Sequence, residues 1–478
     1  MSQGNLNRRQ FLGSVAAGAA GTMLLGARGA EVKRQPNLVY VFADQWRASA
    51  SGYAGDPNAQ TPNLDLLAKQ SVNFTHAVSG CPVCTPYRAS LMTGQYWTTH
   101  GVFLNDVPLR GNAMTFAEAL NEGGYDTAYI GKWHLDGQGR SAYTPPERRK
   151  GFKFWRALEC SHDYNHSAYY ADTDEKLYWE GYDAFAQTDE AIRYMREQSR
   201  SCPFALFMSW GSPHDPYNTA PEEYRKRFDP ANIVLPPNVP KEHEEEAREE
   251  LAGYYAHMAA LDDCLGRLLK YLEESKLAND TVFVFTSDHG DMLHSQGQQK
   301  KQRPFDESIR VPFLMRYPTE FGYKGREKEW MLNTPDIMPT VLGLCGVKIP
   351  DTVEGEDFSV PLRKWKQPET DAALIMCVAP FGQFTRAQGG REYRGIRTKR
   401  YTYVRDLNGP WLLFDNKKDP HQLENLCGKS EVRDLQAKLE KKLQEKLKER
   451  HDDFLPAEEY VKMWGYAVDE TGTVRYSN

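Results

Sequence analysis

The chain has 478 residues, with 59 lysines and arginines against 65 aspartates and glutamates and a formal net charge of −6. That length supports a large buried core and more than one domain, while the near balance of charge leaves no polybasic stripe and excludes nucleic acid as the main partner. The eight cysteines lie mostly inside apolar runs, which argues against a dense disulfide framework.

Residues 1–30 differ in composition from the rest. Asn7-Arg8-Arg9-Gln10-Phe11-Leu12 leads into an Ala/Gly-rich apolar stretch that ends near Ala27. It resembles a twin-arginine export signal and implies the twin-arginine export machinery as a partner. The stretch is short and weakly hydrophobic and has no cysteine near its end, so the expectation is a soluble periplasmic or secreted protein with no stable membrane span.

Residues 37–42, Asn-Leu-Val-Tyr-Val-Phe, read as a buried parallel strand that ends in Ala43-Asp44-Gln45. An acid at that place suits helix capping as well as metal binding. A helix over 61–68 follows, then the run Cys81-Pro-Val-Cys84-Thr-Pro86-Tyr87-Arg88-Ala-Ser-Leu-Met-Thr-Gly94. Pro86 suits a first helical turn and Gly94 a helix end, which places Cys84 at the positive N-terminus. Arg88 lies one turn later on the same side, with a guanidinium that matches sulfate or phosphate oxygens. Cys81 and Cys84 also allow a redox or metal-binding CxxC pair, although a zinc ribbon needs a second pair that the chain does not supply.

Thr115-Phe-Ala-Glu118 reads as a capping box opening a helix closed by Gly123-Gly124, and a strand over 125–130 then delivers Gly131-Lys132-Trp133-His134. Within an aromatic and polar stretch, 150–179, Cys160-Ser-His162-Asp163-Tyr-Asn-His166 is either a substrate-facing loop or a surface insertion. A helix over 184–198 and a strand over 204–209 lead to the proline-bracketed loop Ser212-Pro-His214-Asp-Pro-Tyr217. A long amphipathic helix over 241–272 precedes a strand over 281–286 that ends in Ser287-Asp288-His289-Gly290. Another core strand is expected over 311–316 and a helix over 334–345. Short strands over 393–397, 400–404 and 411–414, with a helix over 430–450, suit an antiparallel α+β subdomain.

The fold class expected is therefore α/β: a large, mostly parallel sheet flanked by helices in a catalytic domain over 36–365, with a C-terminal subdomain over 370–478. Asp44/Gln45, Lys132/His134, His214 and Asp288/His289 each follow the C-terminal end of an expected buried strand, where open α/β sheets place their sites. Gathered around a helix N-terminus, they suit a tetrahedral oxyanion held by a divalent metal.

Cys84-x-Pro86-x-Arg88 with the following Ala-Ser-Leu-Met-Thr-Gly, the run Gly131-Lys-Trp-His134, and the segment beginning Phe414-Asp-Asn-Lys-Lys-Asp together resemble the formylglycine-dependent type I sulfatases of the alkaline phosphatase superfamily. The likeness covers nearly the whole chain beyond the leader, with Tyr87 standing where the family commonly has serine. It implies that a separate maturation enzyme oxidises Cys84 to formylglycine, whose hydrated aldehyde is the nucleophile. It also implies that Asp44, Gln45, Asp288, His289 and residue 84 bind calcium, with manganese or magnesium as alternatives. Lys132 would hold the formylglycine, His134 would handle its second hydroxyl and His214 would protonate the leaving alcohol. Lys301, counted back from 305–312, would bind sulfate in preference to Lys300, and Arg88, Lys132 and Lys301 would stabilise the sulfuryl oxygens. The implied substrate is a sulfated polysaccharide or oligosaccharide, ahead of small aryl sulfates. A phosphonate monoester or phosphodiester hydrolase of the same superfamily, and an inactive sulfatase-like glycan-binding protein, are the alternatives.

Overall fold

All seven residues of β1 (Asn37–Ala43) are buried. Leu38, Tyr40 and Phe42 enter one apolar core while Val39, Val41 and Ala43 enter another, as the period-2 alternation of a strand covered on both faces requires. The computed structural model describes residues 34–198 and 202–476, so the leader at 1–30 lies outside the described residues.

In chain order the further strands are β2 (Val72–Val78), β3 (Asp126–Lys132), β4 (Phe154–Leu158), the two-residue pair β5 (Ala168–Tyr169) and β6 (Leu177–Tyr178), then β7 (Phe204–Ser209), β8 (Thr281–Ser287), β9 (Phe313–Arg316) and β10 (Arg326–Asn333). Eight of them form one mixed sheet in the order β10-β2-β9-β8-β1-β7-β3-β4. At its centre β8, β1, β7 and β3 are mutually parallel neighbours, whereas β9 runs antiparallel to both β8 and β2. Helices Cys84–Thr93, Phe116–Glu122 and Thr334–Cys345 cover the face that carries Tyr40, and helices Asp183–Glu197 and Glu244–Glu274 cover the other.

A second, antiparallel sheet follows: β11 (Ala372–Cys377), β12 (Tyr393–Thr398), β13 (Tyr401–Asp406) and β14 (Gly409–Asp415). Ile396, Tyr403 and Leu413 from this sheet join the Tyr40-side core, and so does the stripe Leu439, Leu443, Leu447 of helix Arg433–Glu449. Those leucines recur every four residues, the spacing that puts them on one helical face, and burying each contributes about 1.5–3 kcal/mol. A shared core of this kind explains why the chain from Pro36 onward forms one compact unit.

Register sets the level at which functional groups emerge. Ala43 pairs with Ser287, so Asp44 and Asp288 leave the sheet side by side. Phe42 pairs with Ser209, and Ser209 with Gly131, so Lys132 emerges at the same rim. The expected end of β3 at residue 130 is two residues short, because ladders to β4 as well as β7 carry the strand through Lys132. Gly131 makes that close approach feasible: its φ is +104°, and a Cβ there would lie 2.0 Å from the Ser209 carbonyl oxygen.

Candidate active site

Helix Cys84–Thr93 begins at Cys84, after extended Val83, and ends at left-handed Gly94. The Thr85 N–H is satisfied by Asn105 Oδ1 at 3.0 Å, and Cys84 Sγ sits at the positive helix end facing the strand termini. It lies 3.3 Å from His289 Nε2, 3.7 Å from Asp44 Oδ1 and 3.7 Å from Lys132 Nζ. Burial and the Asp44 charge push its thiol up, but Lys132, Lys301 and His289 outweigh them and hold it well below the usual thiol range.

Arg88 lies one turn along the helix and is fully buried. Its NH2 donates to Asp44 Oδ2 and Asp288 Oδ2, both at 3.2 Å, while NH1 donates to the Lys132 carbonyl and Ser209 Oγ, both at 2.7 Å. Lys132 Nζ adds a second cation 2.7 Å from Asp44 Oδ2. Burial pushes the Asp44 carboxyl up, yet Lys132, His214, His289 and Arg88 hold it well below the usual carboxylate range. Asp288, burdened first by burial and then by the Asp44 charge, is pushed up to about 6.

With Oδ2 of each carboxylate committed to these cations, the two Oδ1 atoms face His289 Nε2, each at 3.6 Å. His289 Nδ1–H donates to the Gly290 carbonyl at 2.9 Å, which leaves the Nε2 lone pair directed at the carboxylates. Gly290 is required for this packing, since a Cβ would stand 1.9 Å from the Glu307 carbonyl oxygen. The donor atoms of Asp44, Cys84, Asp288 and His289 all fall within 4.8 Å of one another. Gln45 follows with left-handed backbone, φ 73°. Its N–H donates to Asp288 Oδ1 at 3.0 Å and its carboxamide bridges Lys301 Nζ and Asp291 Oδ2, each at 2.6 Å.

A cavity of about 300 Å³ opens above this cluster, with Cys84, Lys132, His134, His214 and Lys301 on its wall. A larger cavity of about 410 Å³, bordered by Arg47, Asp56 and Arg310, contains none of these groups. Lys301 contacts His214 Nε2, while Lys300 turns instead to Tyr217 and Asp215. His214 Nδ1–H donates to the Asp215 carbonyl at 2.9 Å, and its ring stacks on His162 at 4.4 Å. Burial and the Lys301 charge hold His214 well below the usual imidazole range, so it is neutral at neutral pH.

His134 is in the opposite state. Burial pulls its ring down, but Cys160 and Asp106 outweigh burial and raise it to about 9. Nε2–H donates to Asp106 Oδ1 at 3.0 Å, and Arg140 grips the same carboxylate through Nε and NH2, each at 2.9 Å. Cys160 is its counterpart: burial raises the thiol, and Lys132, His134 and His162 lower it to about 5. A histidine raised on folding contributes stability in full below its unfolded value of roughly 6.5 and loses it as pH rises through about 9. The lowered Cys160 thiol contributes in full above its ordinary value and loses it as pH falls through about 5, so the two slopes oppose each other in between. Ring titration by nitrogen-detected NMR is therefore the discriminating measurement. His134 is expected to titrate near 9, and Asp106→Asn to move it towards 6.5; a wild-type ring titrating at 6.5 would contradict this arrangement.

All ten residues singled out in the sequence thus converge on one region, the cavity wall or the buried cluster beneath it. Asp106, Asn105 and Arg140 were not foreseen, since they lie between regular elements with no strand end or motif to mark them. The aromatic stretch contributes Cys160 and His162 to the cavity wall. Its larger rings, Phe152, Trp155, Tyr164 and Trp179, pack into the two cores instead, because an apolar ring gains more by burial there than at a wet cleft.

Residues 36–347 match the family described as Sulfatase, and residues 296–449 match the one described as N-sulphoglucosamine sulphohydrolase, C-terminal. The chain is 50% identical over 440 residues to the ulvan-active sulfatase of Formosa agariphila, covering 90% of this chain and 85% of that one. It is 31% identical over 474 residues to an endo-4-O-sulfatase of Bacteroides thetaiotaomicron, covering 85% and 92% respectively. A solved structure from glycosaminoglycan metabolism by Bacteroides thetaiotaomicron superposes with a TM-score of 0.81 at 29% identity, over 90% of this chain and 99% of that one.

Proposed function

The chain belongs to the sulfatase family of the alkaline phosphatase superfamily, and from that premise we propose that it hydrolyses the sulfate esters of a sulfated glycan at the cavity floored by Cys84. The observation that carries this reading is the convergence of four neighbouring parallel strand ends on one helix N-terminus. That convergence, joined by Lys301 from the loop beyond β8, sets two carboxylates, two lysines and three imidazoles around a single buried side chain.

The donor set fits a hard divalent cation. Two buried Oδ1 atoms and a tautomer-fixed His289 Nε2 point to one place. Asp44, Asp288, His289 and residue 84, with Gln45, would hold calcium, the usual family ion, or manganese or magnesium. When bound, such an ion supplies Lewis-acid polarisation of sulfate and nucleophile oxygens. Cys84 Sγ stands in for the oxygen of a formylglycine, which a maturation enzyme would make from this side chain and which supplies the nucleophile.

The chain's own residues then divide the work. Lys132 and Lys301 bring positive charge to the cavity wall, where it meets the sulfuryl oxygens. Arg88 acts one layer deeper: its donors hold Asp44 and Asp288 in place rather than reaching the cavity. His214 is kept neutral by the Lys301 charge in the resting site. An incoming sulfate both engages that charge and adds its own, which raises the proton affinity of His214 Nε2 and equips it to protonate the departing alcohol. His134 Nδ1, buried and without a hydrogen-bond partner, is the atom through which that ring exchanges a proton with the group at position 84.

The glycan substrate is supported by the ulvan-active and endo-4-O-sulfatase relatives. Export to the periplasm or beyond is supported by the Asn7–Leu12 pattern; among the described residues no helix is long and apolar enough to cross a membrane. Sulfate release from defined sulfated saccharides, ulvan fragments included, tests the reading against aryl sulfates and against phosphate and phosphonate esters. Turnover of saccharide sulfates above all others is expected. Activity confined to phosphorus esters overturns the sulfatase chemistry for this chain, and activity confined to aryl sulfates overturns the glycan.

A further inference from the structure

Away from the Cys84 cluster, a second set of metal-binding side chains meets where the long helix Glu244–Glu274 begins. His243 is the residue before its first turn, Glu246 lies one turn on, and His294 reaches them from the segment after β8. One donor atom from each lies within 4.8 Å of the others. His294 is only 1% exposed. Its Nε2 lies 3.1 Å from Glu250 Oε2, while its buried Nδ1 has no hydrogen-bond partner and stands 3.9 Å from Glu246 Oε2.

That pairing fixes the chemistry of the ring. A carboxylate accepting the Nε2–H leaves Nδ1 as a bare lone pair and fixes the ring's orientation, as carboxylates behind metal-ligating histidines do. The Gln299 amide also lies 3.3 Å from Nε2 and accepts from the same N–H when its oxygen is turned to the ring, an assignment the hydrogen-bond network decides. An isolated buried imidazole lone pair costs free energy unless something occupies it. The carboxylates that face the ring, Glu246 and Glu250, lie four residues apart on one face of the helix, and a cation complements them together with the bare Nδ1.

We propose that His243, Glu246 and His294 form a second metal site that takes a borderline divalent cation, zinc above all, and clips the start of the long helix to the segment leading into Lys300 and Lys301. Two imidazoles and one carboxylate are zinc ligands rather than calcium ligands, and a fourth position is free to take water. Donor atoms at most 4.8 Å apart share a centre within about 2.8 Å, so zinc bond lengths of about 2.0–2.2 Å require a shift below about 1 Å. The Glu246 side chain, 61% exposed, is free to make that shift. A cavity of about 390 Å³, walled by His243, His294, Lys300 and Arg303, provides the entry path. The site is independent of the catalytic assignments.

The test is calorimetric titration of the full chain with zinc chloride after chelator treatment, in excess calcium chloride to fill the hard-donor cluster. One equivalent of zinc is expected to bind, with affinity weakened at least tenfold in His243→Gln and in His294→Gln and kept in Asp288→Asn. Zinc binding unchanged in both histidine variants, or lost only in Asp288→Asn, overturns the proposal. Should the buried His294 variant fail to fold, the half-buried His243→Gln decides alone. Hydrogen exchange gives a second readout: zinc should slow exchange across residues 291–300 in the wild type and not in His243→Gln, and equal slowing in both overturns the clip.

Discussion

Cys84→Ala is expected to lower sulfate release by about 10⁴-fold or more, the scale on which loss of an activated nucleophile is felt, while the protein keeps its fold and its affinity for sulfated ligands. The expectation rests on position. Cys84 is the first residue of its helix, 1% exposed, and lies against His289, Asp44 and Lys132. Loss of one sulfur from a site bounded by charged groups leaves the apolar cores untouched, so the circular dichroism spectrum and denaturation midpoint should move little. Mass analysis of the peptide bearing Cys84 supplies the chemical half of the test. In active protein the side chain is expected to have lost its thiol and gained an aldehyde, and an intact thiol in fully active protein would remove formylglycine from the account.

His214→Ala carries the second large effect, and its size should depend on the substrate. A positioned acid contributes about 10²–10⁴-fold where the leaving oxygen needs a proton, so a sugar sulfate should lose activity on that scale. A nitrophenyl sulfate departs as a stable anion and should lose far less. The structure sharpens this expectation, because Lys301 and His214 are in direct contact and the lysine suppresses protonation of the ring. Equal losses on both substrates would instead assign His214 to sulfate binding. Lys301→Ala should have a different signature, weakening both substrates alike, since it removes charge from the sulfuryl end rather than from the leaving group.

The buried ion pairs show why so many charges tolerate one site. Asp44 and Asp288 are fully buried, and each meets Arg88. Removing one partner of such an arrangement typically costs about 3–5 kcal/mol, because the other charge stays behind without compensation. Arg88 therefore ties the cysteine helix to two strand ends, and the geometry of the Asp44–Asp288 cluster and the fold depend on the same guanidinium.

Much of this was legible in one dimension. Short apolar runs closed by polar residues marked β1, β3, β7 and β8, since strands buried on both faces leave no polar alternation to obscure them. The Thr115–Glu118 capping box and the Gly94 helix end were also readable, because caps are local hydrogen-bond and φ requirements. Strands β2, β4 and β10 were not. β10 opens with Arg-Glu-Lys-Glu, a charged and mostly exposed run that precedes buried Trp330, and β2 carries Asn, Thr and His among its apolar residues. What makes β2 and β10 strands is pairing with each other and of β2 with β9, and β4 is a strand through its ladder to β3, long-range contacts that no local pattern encodes.

The sequence by itself determined which residue types stand at each strand end and that Cys84 begins a helix, because period, caps and glycine constraints act over a few residues. Only the tertiary structure decided how those ends meet. The register of β8 and β1 sets Asp44 beside Asp288, and the loops beyond the strand ends bring Lys301 against His214 and place Asp106 and Arg140 behind His134. The protonation states follow from that proximity: His134 is held charged and His214 neutral by neighbours distant in the chain, since electrostatic shifts depend on distance and burial rather than on sequence separation.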